Sequence, residues 1–202
     1  MTFSVLKRLV EETRITTREE ILRIWSDSKK NFSVLRTITE FAVAAPSKVE
    51  LLVELVKAIA SEEIPNFAMY RKVVTYTVHL AVATTSVCTQ RITDFEQIED
   101  FGIMMSNMMG FVGNLCLNQY ATSTHVDDYM TLFFDSYSVN PVKSTEVLIR
   151  SAVRLLIICG HCVDKRVVEK AMVRMRNVVN RVDEGTRTQI NKLETLMANG
   201  WR

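Results

Sequence analysis

The sequence predicts an almost wholly α-helical protein built from consecutive helical hairpins, and three observations carry that expectation. Apolar residues recur three and four positions apart along most of the chain, the spacing that lines one face of a helix. Only nine of the 202 residues are Gly or Pro, too few turn formers for a many-stranded sheet with tight connections. The polar links between periodic segments span about 3 to 8 residues, short enough to set neighbouring helices antiparallel.

Taken in chain order, a first helix is expected over about residues 3–13, with Phe3, Leu6, Leu9 and Val10 on one face. A second starts after Thr16 or Thr17, where Thr17-Arg18-Glu19-Glu20 has the form of a capping box, and it carries Ile21, Leu22, Ile24 and Trp25. A third, over residues 32–45, stops at Pro46, and Ser47 caps a fourth that buries Val49, Leu52, Val53, Leu55, Val56 and Ile59. Pro65 lacks an amide donor and pushes Ile64 out of the helical region, so the chain breaks at Ile64-Pro65-Asn66 before a fifth helix from about Phe67 to Thr84.

The longest helix is expected from Phe95 to Tyr120. Phe101, Met104, Met105, Met108, Met109, Phe111, Val112, Leu115 and Cys116 form a stripe that becomes apolar nearly all round in its second half, which places this helix in the middle of the fold. Its four methionines fit core filling better than a plastic partner groove. Thr122-Ser123-Thr124-His125 with Asp127 is a second capping-box pattern, opening a helix that ends near Ser138. After Asn140-Pro141, helices are expected over about residues 143–163, 164–182 and 185–198. Such pairs lie near the 40-residue period of HEAT-type repeats, giving a solenoid of about ten helices in about five pairs within one domain over residues 1–202. The pairs are not alike in sequence, so periodicity alone also admits a helical bundle.

Composition narrows the class further. No apolar run approaches the roughly 20 residues that span a bilayer, and the N-terminus turns charged before a secretory apolar core can form, so no membrane partner is expected. Four cysteines in 202 residues are no disulfide framework, which suits a reducing compartment, the cytoplasm or the nucleus. The net charge of +2 divides unevenly. From Lys143 onward twelve Lys or Arg face six Asp or Glu, a net of +6, and the preceding residues carry −4. The two parts thus offer different surfaces to partners.

Few residues are spaced for chemistry. Cys159-Gly160-His161-Cys162 has the CxxC form of a thiol oxidoreductase or of half a zinc site. A redox CxxC opens a helix, whose N-terminal dipole lowers the thiol pKa; here the preceding residues 147–158 are helical in pattern, which places the pair at a C-terminus where the dipole acts the other way. Zinc needs a second ligand pair, and Cys88 and Cys116 lie far apart on different expected helices without partners at ligand spacing. Buried thiols near a helix end are therefore the expectation for Cys159 and Cys162. His79, His125 and His161 share no catalytic spacing, and no Gly-rich loop is present to hold a nucleotide. Paired carboxylates such as Glu11-Glu12 and Asp127-Asp128 are adjacent in sequence, and adjacent residues on a helix do not face one another. Neither a catalytic residue nor a cofactor nor a metal is expected.

One polar feature is more ordered. Arg166, Lys170, Arg174 and Arg181 recur at spacings of four, four and seven with Asn177 in line, while Val167, Ala171, Met172, Met175, Val178, Val179 and Val182 take the opposite side. Such a basic stripe suits RNA phosphates or an acidic partner, and an ordinary solvated face is its plain alternative.

Three segments in order resemble one family. Residues 64–76, IPNFAMYRKVVTY, look like a family loop and helix start. Residues 108–119, MMGFVGNLCLNQ, resemble its F-x-x-F-L-G-E-L-Y-x-N helix, with Phe111, Gly113, Leu115 and Asn118 in register. Residues 144–165 and 190–202 are similar to its closing helices, with Leu193, Leu196 and Trp201 matching the terminal pattern. The family is that of the middle domain of translation initiation factor 4 gamma, a crescent of HEAT pairs, and the likeness is nearest to poly(A)-binding-protein-interacting proteins and small stand-alone relatives. It covers about residues 50–202, and the first 45 residues match only as amphipathic helices. Asn114 and Cys116 stand where the pattern has Glu and Tyr.

What the resemblance implies is a non-enzymatic adaptor in mRNA translation or metabolism. Its implied partners are a DEAD-box RNA helicase held between the two ends of the crescent, other translation or mRNA-processing factors, and RNA. A second copy of the chain, joined through Met-rich or N-terminal surfaces, is a further partner left open. No residue is matched to a helicase contact.

Overall fold

The computed structural model describes residues 38, 39, 42, 47, 49–62 and 95–201. These residues are all-α, with no strand among them. The helices are α1 (Val49–Glu62), α2 (Phe95–Leu117), α3 (Ser123–Val139), α4 (Lys143–Cys159), α5 (Lys165–Val178) and α6 (Glu184–Ala198), with 3-10 turns at Gly160–Cys162 and Val179–Arg181. Ile38, Thr39 and Ala42, within the helix expected over residues 32–45, are helical and buried. The helices expected over residues 3–13, after Thr17 and over residues 67–84 lie outside the described residues.

The fold is centred on α4. Twelve of its seventeen residues are buried, and it packs along α2 while α3 and α6 flank it. In turn α1 rests on α2, and α5 on α3. Phe111, Val112 and Leu115 of α2 meet Leu148, Leu155 and Leu156 of α4 in one continuous core. Met105, Met108 and Met109 are buried in it and Met104 packs at its edge, so the methionines fill core as their spacing predicts.

A glycine sets the closeness of α2 to α4. A Cβ at Gly113 would lie 2.8 Å from Cγ2 and 3.0 Å from Cβ of Ile158. Helix axes usually pack 8–10 Å apart according to the side chains between them, and the smallest residue permits the close end of that range. Asn114 turns its amide back along its own helix to the Gly110 carbonyl at 2.9 Å, which leaves the seam apolar.

The helix ends differ from expectation in instructive ways. The central helix stops at Leu117 rather than Tyr120, because Gln119 is left-handed (φ 63°) and the Tyr120 amide bonds the Leu115 carbonyl at 2.8 Å while the Gln119 amide bonds that of Cys116 at 2.9 Å. This is a Schellman stop built on a glutamine. The segment expected as a helix over residues 143–163 ends at Cys159 and tightens into a 3-10 turn, and that expected over residues 164–182 ends at Val178 in the same manner. The Thr122 cap is present as expected, but His125 closes it, its Nδ1 accepting the Thr122 amide at 3.0 Å. Asp127 is free for other work.

The α5–α6 hairpin is tied down at its turn. Asp183 caps α6 by accepting the Thr186 amide at 2.7 Å, and its own amide donates to the Glu146 carboxylate on α4. Burial pushes the Glu146 carboxyl above its ordinary value, with the nearby Asp183 charge adding to the rise and the Asp183 amide opposing it. Asp183 is pushed up by burial as well, but the Thr186 amide, the Glu146 carboxyl and Arg150 outweigh this and hold it below its ordinary value.

Gly113→Ala should destabilise the fold by about 1–3 kcal/mol in urea unfolding, since Ile158 must leave its rotamer or the helices must part. Glu146→Ala should cost about 1–3 kcal/mol by stranding the Asp183 amide. A group whose folded pKa is raised contributes stability below its unfolded value and loses it as pH rises through the folded value. Glu146→Gln should therefore lack the part of the wild-type stability loss that occurs between the ordinary carboxylate range and the raised value.

Candidate functional site

An open groove of about 630 Å³ runs between α2, α4 and α6. That volume lies within the roughly 300–1,000 Å³ of ordinary binding sites. Gly102 and Ser106 leave room on the α2 side, with Ile98, Ile103 and Asn107 beside them; Val147, Arg150, Arg154, Ile157 and Ile158 come from α4, and Gln189 and Lys192 from α6. Among the described residues the lining holds three cations, Arg150, Arg154 and Lys192, one carboxylate, Glu99, and no aromatic side chain.

Two of these side chains are poised rather than spent. Arg150 Nε is buried without a hydrogen-bond partner among the described residues, a state that native interiors rarely tolerate without a purpose. Arg154 is exposed and extends over Gly110, with Nη2 3.5 Å from where a Cβ would stand. Ile103 presents an apolar wall that is 56% exposed. The groove thus offers aliphatic surface next to fixed positive charge, a combination that accepts an acidic segment carrying apolar side chains.

The basic stripe of α5 has a different use. Lys170 Nζ reaches both carboxylate oxygens of Asp127 at 2.8 and 2.9 Å. Arg174 Nη1 lies 3.1 Å from Asp135 Oδ1, with its guanidinium 6.0 Å from the Phe134 ring centroid. Both acids belong to α3, so this part of the stripe is a seam of ion pairs between α3 and α5. Arg166 and Arg181 take part in no ion pair among the described residues. The Arg181 carbonyl accepts the Tyr137 hydroxyl at 3.2 Å. The apolar side is as expected, with Ala171, Met172, Met175, Val178 and Val182 buried and Val167 and Val179 half-buried.

The cysteines form a group that their sequence spacing hides. The CxxC does lie at a helix C-terminus, and Cys159 is fully buried with its thiol donating to the Leu155 carbonyl at 3.2 Å. Cys162, expected to be buried, is exposed. Cys116 comes from α2 to within 3.8 Å of the Cys162 sulfur and lies beside the Cys159 thiol. The bond from Cys159 lowers the Cys116 pKa to about 7 against the opposing effect of burial, with Cys162 helping. Burial and the neighbouring Cys116 push Cys162 up to about 11, and Cys159 rises too, chiefly through its bond to Cys116. Among the described residues no group of three or more His, Cys, Asp or Glu side chains is arranged to hold a metal ion, and no helix is long and apolar enough to cross a membrane.

Sequence spacing held a signal for the groove. Gly102, Ser106 and Gly110 stand four apart on one face of α2, and Arg150 and Arg154 four apart on α4, so a strip of small residues faces paired cations. Nothing in the sequence pairs Cys116 with Cys162, because the contact is made by helix packing across 46 residues.

The ion-pair seam predicts a measurable coupling. With side chains 49% and 33% exposed, Lys170 and Asp127 should show a double-mutant coupling of about 0.2–1 kcal/mol that shrinks with added salt.

Comparison of the chain with protein-family models, with curated proteins and with solved structures gives no match.

Proposed function

We propose that the chain is a non-enzymatic helical adaptor whose working surface is the groove between α2, α4 and α6. The observation that carries this is the cation set of Arg154 and Lys192, which make no ion pair among the described residues, with Arg150 between them and exposed aliphatic wall alongside. Cations already neutralised within the fold add little to association, whereas unpaired ones in a low-dielectric cleft steer and hold an acidic partner. Stacked bases supply much of the affinity in single-stranded RNA sites, and among the described residues the lining carries no aromatic platform. A protein segment rich in acidic and apolar residues fits better.

The resemblance of residues 64–76, 108–119 and 144–202 to the middle domain of initiation factor 4 gamma directs the proposal to mRNA translation or metabolism, in the cytoplasm and with access to the nucleus. It also extends the packed helices into a HEAT-type solenoid of about ten helices and makes a DEAD-box RNA helicase the first partner to try. Other translation factors come next. An adaptor of this kind acts by binding one arrangement of the helicase lobes more tightly than another, which shifts their populations. Direct RNA binding through Arg166, Lys170, Arg174 and Arg181 is the weaker version, because Lys170 and Arg174 are held by Asp127 and Asp135.

The proposal is tested with purified cytoplasmic DEAD-box helicases in pull-down and ATPase assays. Wild type is expected to bind one of them and change its ATPase rate. The double substitution Arg154→Glu and Lys192→Glu should weaken that binding by about tenfold or more, as expected when rim charges that steer association are reversed. No binding by wild type removes the helicase partner, and binding indifferent to the double substitution removes the groove as the site.

A further inference from the structure

Cys116 and Cys162 are brought together by two elements that share no local sequence. Cys116 sits on the rigid last turns of α2, and Cys162 ends the exposed 3-10 turn that follows α4. Their sulfurs are 3.8 Å apart, and a disulfide needs about 2.05 Å. The remaining approach is within reach of a side-chain rotation at Cys162, where a short turn at the surface gives way more easily than a packed helix. Cys159 is the less suitable partner for Cys162, although it is nearer in sequence. Its side chain is fully buried, whereas Cys162, whose thiol donates to the Cys159 carbonyl at 3.0 Å, is exposed.

The surroundings shape access to this pair. Trp201 is carried over the 3-10 turn by a Schellman stop at the end of α6, in which Gly200 is left-handed (φ 64°) and the Trp201 amide bonds the Leu196 carbonyl at 2.7 Å. Its ring lies on Gly160 so closely that any Cβ there would collide with it. The indole covers the turn at Gly160, while Cys162 stays exposed and Cys116 keeps 5% of its surface open. Solvent therefore reaches the pair from the Cys162 side.

We propose that Cys116 and Cys162 are a redox modification site, at which a hydroperoxide closes an intramolecular disulfide that staples the end of α2 to the turn after α4. The Cys116 sulfur, as its thiolate, attacks the terminal peroxide oxygen. The O–O bond breaks, the departing oxygen leaves as water or an alcohol after taking a proton, and Cys116 becomes a sulfenic acid. The Cys162 sulfur then attacks the Cys116 sulfur. The S–O bond breaks, and the hydroxyl leaves as water with the proton from Cys162. In sum, two thiols and one hydroperoxide give one disulfide, one water and one alcohol or second water. Thiols are oxidised and the peroxide is reduced.

The site is independent of the groove, so its test stands alone. The full chain is treated with one equivalent of hydrogen peroxide, free thiols are alkylated, and the unreduced digest is mapped by mass spectrometry. A Cys116–Cys162 link reversed by dithiothreitol is expected in wild type and in Cys159→Ser. No link should form in Cys162→Ser, whose substitution lies at an exposed position, and dimedone should label Cys116 there. Circular dichroism confirms that each variant is folded. A Cys159–Cys162 link in wild type, oxidation elsewhere with Cys116 intact, or loss of the Cys116–Cys162 link in folded Cys159→Ser would overturn the assignment.

Discussion

The close contact of Gly113 with Ile158 is the constraint from which the rest of the described structure follows. It brings α2 against α4, and both helices are apolar enough there to need each other for burial. Everything else hangs from α4. The groove lies on one side of this pair of helices, lined by Gly102 and Arg150, and the thiols of Cys116 and Cys159 stand near its other end.

Much of the helical pattern was legible in the residues, for a physical reason. The spacing of Phe101, Met105, Met108, Val112 and Leu115 admits only a helix with a buried face, and each of these residues is buried. The Thr122 cap was legible as well, since it acts through short-range bonds to its own turn, whereas the Asp183 cap drew no notice. The ends of the helices were less so. Gln119 adopts a left-handed conformation that carries no compositional mark, unlike Gly200, and the last turns at Cys162 and Arg181 tighten through 3-10 geometry that periodicity does not distinguish.

Function was legible only where it depended on a single element. The stripe of Arg166, Lys170, Arg174 and Arg181 is visible in one helix, but whether a charge is available depends on what stands opposite, and Asp127 and Asp135 come from α3. Arg150 and Arg154 drew no notice in the sequence because they interrupt an otherwise apolar helix. Their significance appears once α2 presents Gly102 and Ser106 to them. The cysteines teach the same lesson, since the informative partner of the CxxC turned out to be Cys116, 46 residues before Cys162. Availability and proximity are properties of packing between elements, which spacing along one element does not contain.

The indole of Trp201 resting on Gly160 has an optical consequence. Tryptophan emission responds to polarity and to nearby quenchers, and this ring lies on the turn that carries Cys162, with the His161 ring centroid 6.5 Å away. The chain has two tryptophans, Trp25 and Trp201. Replacing Trp25 would leave an intrinsic fluorophore placed at the end of the α2–α4 seam, able to follow the opening of that turn in real time without any added label.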